Sequence, residues 1–200
     1  MIIKDDKLKV VFDSETHIYR SMATGNIIPS VTNIMREGGI LKCLHDVPVH
    51  ILEQARQFGT AVHAAIHLFN TDNLKEETLD ENLKPYLDVY MDFLEEHKVR
   101  VIKSEQVVYN QMFGYAGQYD LYAEVDDCLT LLDIKTSHEV DKKSNSVQLS
   151  AYRAAVNENI AKLSVLHLKS DKYKLIELQD NMDVFLSALH IYKFKNDGTK

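Results

Sequence analysis

Two acids and one lysine define the chemistry this chain can attempt. Gly117-Gln118-Tyr119-Asp120 is followed by Leu131-Leu132-Asp133-Ile134-Lys135. Alternate side chains of a strand share a face, so Asp133 and Lys135 point one way while Leu132 and Ile134 point the other. Asp126-Asp127 reads as a tight hairpin turn that pairs the two segments antiparallel and returns Asp120 to the same end of the sheet. Two neighbouring carboxylates repel unless a cation lies between them. Oxygen ligands favour Mg²⁺ or Mn²⁺, and an adjacent ammonium can orient or help deprotonate a water and stabilise charge on a phosphate under attack.

Other polar residues fall where they can join this set. His63 follows Gly59-Thr60-Ala61-Val62 inside an apolar-periodic stretch. A mid-helix glycine costs about 1 kcal/mol, so Gly59 suggests a backbone approached closely. A neutral imidazole can complete a carboxylate metal site. His67 lies at i+4 from His63, but no Glu stands between them, which removes the zinc-protease pattern. Gln148 and Tyr152 share a helix face, beside Arg153, and can hydrogen-bond a metal-site water network or phosphate oxygens. Glu105, expected on one strand face with Val101, Lys103 and Val107, adds a possible carboxylate.

These residues need a scaffold of helices and strands. Residues 8–12 and 17–20 read as a short hairpin or meander; Ser30 then caps a helix that Gly38-Gly39 ends. Helical spacing over residues 49–69 predicts a long helix, and a second follows near residue 80, with Pro85 in its first turn. Residues 99–109, 115–125 and 128–135 read as strands. Residues 147–159 form a helix, 162–169 and 173–178 a hairpin, 182–194 a final helix, and the tail from residue 196 frays. The expected class is an α/β domain with a mixed sheet flanked by helices, a single unit over residues 1–200 with an amino-terminal β segment and short helix (1–40) and a core (47–195).

The chain has 200 residues, 45% of them hydrophobic, with 7 Gly and 3 Pro, which suits a folded domain rather than a low-complexity one. No apolar run approaches the ~20 residues of a membrane span, and the start Met1-Ile2-Ile3-Lys4-Asp5-Asp6 has no leader pattern, so a cytoplasmic protein without membrane contact is expected. Cys43 and Cys128 are far apart and read as isolated buried thiols. A net charge of −7 weighs against a nucleic-acid partner without excluding a local basic groove.

Taken in order and rough spacing, Gly59-Thr60-x-x-His63, Gly117-x-x-Asp120, Asp133-Ile134-Lys135-Thr136 and Gln148-x-x-x-Tyr152 resemble the PD-(D/E)XK nucleases of the RecB-like branch. His17-Ile18-Tyr19 with Ile28-Pro29-Ser30-Val31-Thr32 resembles the amino-terminal segment of phage nucleases and of the mitochondrial genome maintenance exonuclease group. The resemblance spans roughly residues 17–155. It implies a restriction-endonuclease-like core and hydrolysis of DNA phosphodiesters, with His63, Asp120, Asp133 and the Ile134 carbonyl as ligands of Mg²⁺ or Mn²⁺, Lys135 catalytic, and Gln148 and Tyr152 in support. Some such nucleases carry an iron–sulfur cluster on four Cys; two Cys cannot supply it.

The expected activity is an exonuclease on single-stranded DNA or DNA ends in phage or bacterial replication or recombination. Arg56, Thr60, Ser30, Thr32 and Arg153 would grip the backbone. An endonuclease, or a nuclease-like fold that binds nucleic acid or protein without cutting, are the alternatives. Oligomeric state is not legible.

Overall fold

Short apolar-polar alternations near the amino terminus form a four-stranded antiparallel sheet in the computed structural model, which describes residues 2–5, 8–14, 16–41, 47–156 and 158–197. Its strands are β1 (Ile2–Asp5), β2 (Val10–Asp13), β3 (Ile18–Ser21) and β4 (Ile27–Ile28). Val10, Phe12, Tyr19 and Ile28 share a small core with Ala116 of the larger sheet. Helix α1 (Val31–Glu37) then starts where expected, because Ser30 Oγ accepts from the Asn33 N–H at 3.1 Å.

Helices α2 (Val49–Asn70) and α3 (Lys84–Glu96) precede three long strands, β5 (Arg100–Asn110), β6 (Tyr115–Val125) and β7 (Cys128–Lys135). Asp126 and Asp127, at φ 47° and 61°, make the two-residue turn between β6 and β7. Helix α4 (Lys142–Ala155), strands β8 (Lys162–Leu168) and β9 (Tyr173–Leu178), and helix α5 (Met182–Asn196) complete the chain. The larger sheet runs β5-β6-β7-β8-β9, antiparallel except for the parallel pair β7 and β8, which α4 connects. A mixed α/β fold with helices on the sheet is thus observed as expected.

Each face of the sheet buries its own core. Val62, Ile66, Tyr90 and Phe93 of α2 and α3 pack on Leu132, Ile134, Leu166 and Leu168. On the other face Ile34, Leu149, Phe185 and Leu189 of α1, α4 and α5 cover Tyr115, Leu131 and Leu163. Each such side chain stabilises the fold by about 1.5–3 kcal/mol, which fixes both helix layers and so fixes the strand ends between them.

Two expectations change. Helix α4 runs over Lys142–Ala155 rather than 147–159: Asp141 caps its start by accepting from the N–H groups of Lys143 and Ser144 at 3.1 and 3.3 Å, and Val156 ends it in an extended conformation. The chain also uses residues 2–5 as a strand paired with β2. Cys128 is a half-buried free thiol, while Cys43 and the last residues, 198–200, lie outside the described residues. Among the described residues no helix is long and apolar enough to cross a membrane.

Candidate active site

Strand β7 ends in Asp133-Ile134-Lys135, and its alternation works as the sequence requires. Ile134 is buried in the α2/α3 core, while Lys135 Nζ turns to Asp133 Oδ2 at 2.6 Å. The hairpin register, Leu121 opposite Leu132, carries Asp120 to the same level. There Asp120 Oδ2 accepts from the Ile134 N–H at 2.6 Å. A backbone N–H thus fixes the orientation of this carboxylate.

Helix α2 adds the imidazole. Val62, Ala65 and Ile66 are its buried residues, which sets His63 at the rim of the sheet. His63 Nε2 meets the Ile134 carbonyl at 3.0 Å, and Nδ1 lies 3.5 Å from both Asp120 Oδ1 and Glu105 Oε1. With Nε2 protonated, the ring donates to that carbonyl and leaves Nδ1 facing two acids. Metal-bound histidines are commonly held this way through their second nitrogen.

Glu105 enters by an unusual backbone. The pairs Ser104 with Leu121 and Gln106 with Tyr119 set it level with Asp120 across the strands. Its φ of 52° is left-handed, a conformation that costs a non-glycine residue about 1–2 kcal/mol. Gln118 Nε2 donates to the Glu105 carbonyl at 3.1 Å and helps to hold it. The face expected to join Val101, Lys103, Glu105 and Val107 is broken, because a register shift between Val101 and Lys103 turns these two to opposite sides.

Electrostatics follow from this crowding. Burial opposes charge on His63, but Asp120 and Glu105 outweigh it and hold the imidazole pKa well above its ordinary value. Burial also works against the Asp120 carboxylate, yet His63, Lys135 and the Ile134 N–H bring its pKa below normal. Asp133 goes up, first through burial and then through Asp120, although Lys135 offsets part of this. Burial likewise raises Glu105, with Asp120 adding to it. Burial lowers Lys135, but Asp133 and Asp120 more than reverse that and keep it a cation.

One group of three gathers among the described residues: ligand atoms of His63, Glu105 and Asp120 all lie within 4.8 Å of one another. Two carboxylate oxygens and an imidazole nitrogen suit Mg²⁺ or Mn²⁺, with the imidazole favouring the latter. Asp133 stands outside this trio, its buried carboxylate turned to Lys135. The Ile134 carbonyl supports His63. The three lie in a groove of about 1010 Å³, lined also by Arg56, Thr60, His67, Gln118, Lys135 and residues 136–138.

A side cavity of about 180 Å³ adjoins through His17 and Gln118, and Ser30, Thr32 and Tyr152 line it. Gln148 Nε2 donates to Tyr152 Oη at 3.0 Å, so the expected pair forms. Arg153 is not in the groove; it pairs with Asp180. Gly59 needs no close approach by protein, since a Cβ there meets only Thr136 Oγ1, at 3.4 Å. Gly117 does need one: a Cβ would sit 2.4 Å from Tyr152 Cε1. His67, with Nδ1 at 3.0 Å from Ser104 Oγ, and Gln118 are groove residues the sequence reading passed over as such. For His67 the i+4 spacing from His63 was the available signal.

No family model and no curated protein matches the chain. Solved structures match in outline. SSO0001 aligns over 65% of this chain and 64% of its own length, at 13% identity and TM-score 0.37. The chain therefore spans just under two thirds of that neighbour. A candidate exonuclease from Eubacterium rectale aligns over 84% and 74% at 13% identity and TM-score 0.42. An alkaline exonuclease from Laribacter hongkongensis aligns over 85% and 92% at 12% identity and TM-score 0.42.

Proposed function

We propose that the protein is a Mg²⁺- or Mn²⁺-dependent deoxyribonuclease of the PD-(D/E)XK class, RecB-like branch, acting as an exonuclease on single-stranded DNA or DNA ends. The observation that carries this reading is the trio His63, Glu105 and Asp120 gathered beside the Asp133–Lys135 pair in one groove. A partner that only bound nucleic acid would gain nothing from acids facing phosphate. The exonuclease form of the proposal rests on the sequence resemblance.

The chain's own residues supply orientation and charge. His63, Asp120 and Glu105 would hold the ion, with Asp133 joining if its carboxylate swings from Lys135. When bound, the ion offers Lewis-acid stabilisation of phosphate charge and a more acidic water. Lys135, kept protonated by two acids, is a poor base; it serves by meeting negative charge that builds on the phosphate oxygens. Gln148 orients the Tyr152 hydroxyl near the side cavity, and Arg56 and Thr60 offer positioning contacts along the wall.

The test is cleavage of end-labelled single-stranded and duplex DNA with Mn²⁺ or EDTA. Expected are metal-dependent products that vanish in Asp120→Asn and Lys135→Ala. Closed circular single-stranded DNA survives an exonuclease and is cut by an endonuclease. Absence of metal-dependent cleavage, or undiminished cleavage in both variants, overturns the proposal.

A further inference from the structure

A row of basic residues starts at Lys135 and leaves the groove. In the parallel pairing of β7 with β8, Lys135 stands level with His167; in the antiparallel pairing of β8 with β9, His167 stands level with Lys174. Residues level with each other on adjacent strands share a face. Lys135, His167 and Lys174 therefore form a line across three strands to the sheet edge. At ~4.8 Å per strand the line is about 10 Å long.

The line is continuous with the groove. His167 Nε2 and Lys169 Nζ both meet the Ser137 carbonyl, at 2.7 and 2.6 Å. Ser137 and His138, next along from Lys135, line the groove wall. Residues 135–143 and 167–174 hold six lysines and two histidines against Glu139, Asp141 and Asp171, in a chain whose net charge is −7. Asp171 is itself 3.3 Å from Lys172. The local sign is thus opposite to that of the protein.

We propose that this row is a backbone track: His167, Lys169 and Lys174 receive successive phosphates of the single nucleic-acid strand that continues past the groove. The inference rests on the nuclease reading and adds where the strand goes. It also answers how an acidic chain can hold a polyanion, since the anion is met by one stripe and not by the whole surface.

The test uses the double variant Lys169→Glu/Lys174→Glu, with Lys169→Arg/Lys174→Arg as the charge-preserving control. Fluorescence anisotropy without divalent ions measures binding of a short single-stranded oligonucleotide that fills only the groove, and of one several times longer, over a range of KCl. For the long strand, the Glu variant should bind at least tenfold more weakly, and its slope of log K against log salt should fall by about 1.4, near 0.7 per lost phosphate contact. The Arg variant should keep both. Mn²⁺-dependent cleavage of the short oligonucleotide should be unchanged. An unaltered slope for the long strand overturns the track, as does displacement of DNA by polyglutamate of equal charge, which would mark a site for acidic protein. Loss of the nuclease reading looks different: the short oligonucleotide then stays intact with the wild-type protein, whatever the slopes show.

Discussion

Among the described residues, His63 and His97 each meet a carboxylate through Nδ1, and the closer pair is the less consequential. His97 lies 2.7 Å from Asp126 Oδ2 at the turned end of the sheet, with the Asp126 side chain 58% exposed. His63 lies farther, 3.5 Å, from each of Asp120 and Glu105, but those side chains are 13% and 23% exposed. Water screens the first contact and leaves the second nearly unscreened. Proximity alone therefore does not mark a site. What marks it is several groups of conflicting charge held where solvent cannot relax them.

The same substitution at the two acids gives the sharpest division. Asp120→Asn keeps an oxygen for the Ile134 N–H while removing the charge that faces His63 and an ion, and should lower metal-dependent DNA cleavage by about 10³-fold. Initial rates with end-labelled single-stranded DNA measure it. Retention of most activity would place the chemistry elsewhere than at His63.

Packing around the site should respond next. Gly117→Ala forces a methyl toward the Tyr152 ring at 2.4 Å, and overpacking of this kind costs about 1–3 kcal/mol. Thermal melts should show a lower Tm for Gly117→Ala. Tyr152→Ala also costs stability, but the double variant should lose less than the two separate losses together, because without the ring the added methyl no longer clashes. Additive losses would mean that the ring moves aside freely and that Gly117 matters for something else.

Much of this was legible from residue order, for identifiable reasons. The strand limits of β6 and β7 and the turn between them were readable because apolar alternation and Asp126-Asp127 agree. Asp120, Ile134 and Lys135 followed from that hairpin. The start of α4 was not, because residues 142–146 are Lys-Lys-Ser-Asn-Ser, without apolar period. Asn145 and Ser146 are buried through hydrogen bonds to Asp141 and Asn181 that no pattern announces. Glu105 joins the trio through a positive φ, and the Asp133 carboxylate turns to Lys135; neither is written in spacing.

Protons and metal should compete at the buried histidine. Because the folded-state pKa of His63 is raised, its contribution to stability is full below its unfolded value of about 6.5 and is lost as pH rises through the folded value. Metal-free protein should melt progressively lower as pH rises beyond about 6.5, and Mn²⁺ should stabilise more the further the ring is driven to give up its proton. Melts with EDTA or Mn²⁺ at each pH test both. A Mn²⁺ effect independent of pH would remove the imidazole from the ligand set.

The smallest effect belongs to the exposed pair. Asp126 sits at φ 47° in the turn, where Asn is as well suited as Asp, and its N–H donates to the His97 carbonyl at 3.0 Å whatever the side chain. Asp126→Asn removes only the screened charge, so Tm should move by no more than the equivalent of about 0.5 kcal/mol and DNA cleavage should not move at all. His97→Ala would be a poorer probe, because its ring also packs 5.4 Å from Phe93 and 5.9 Å from Tyr173. A loss of cleavage in Asp126→Asn comparable to that in Asp120→Asn would erase the distinction between the two ends of the sheet, since equal dependence on an exposed and a buried carboxylate cannot arise from local desolvation.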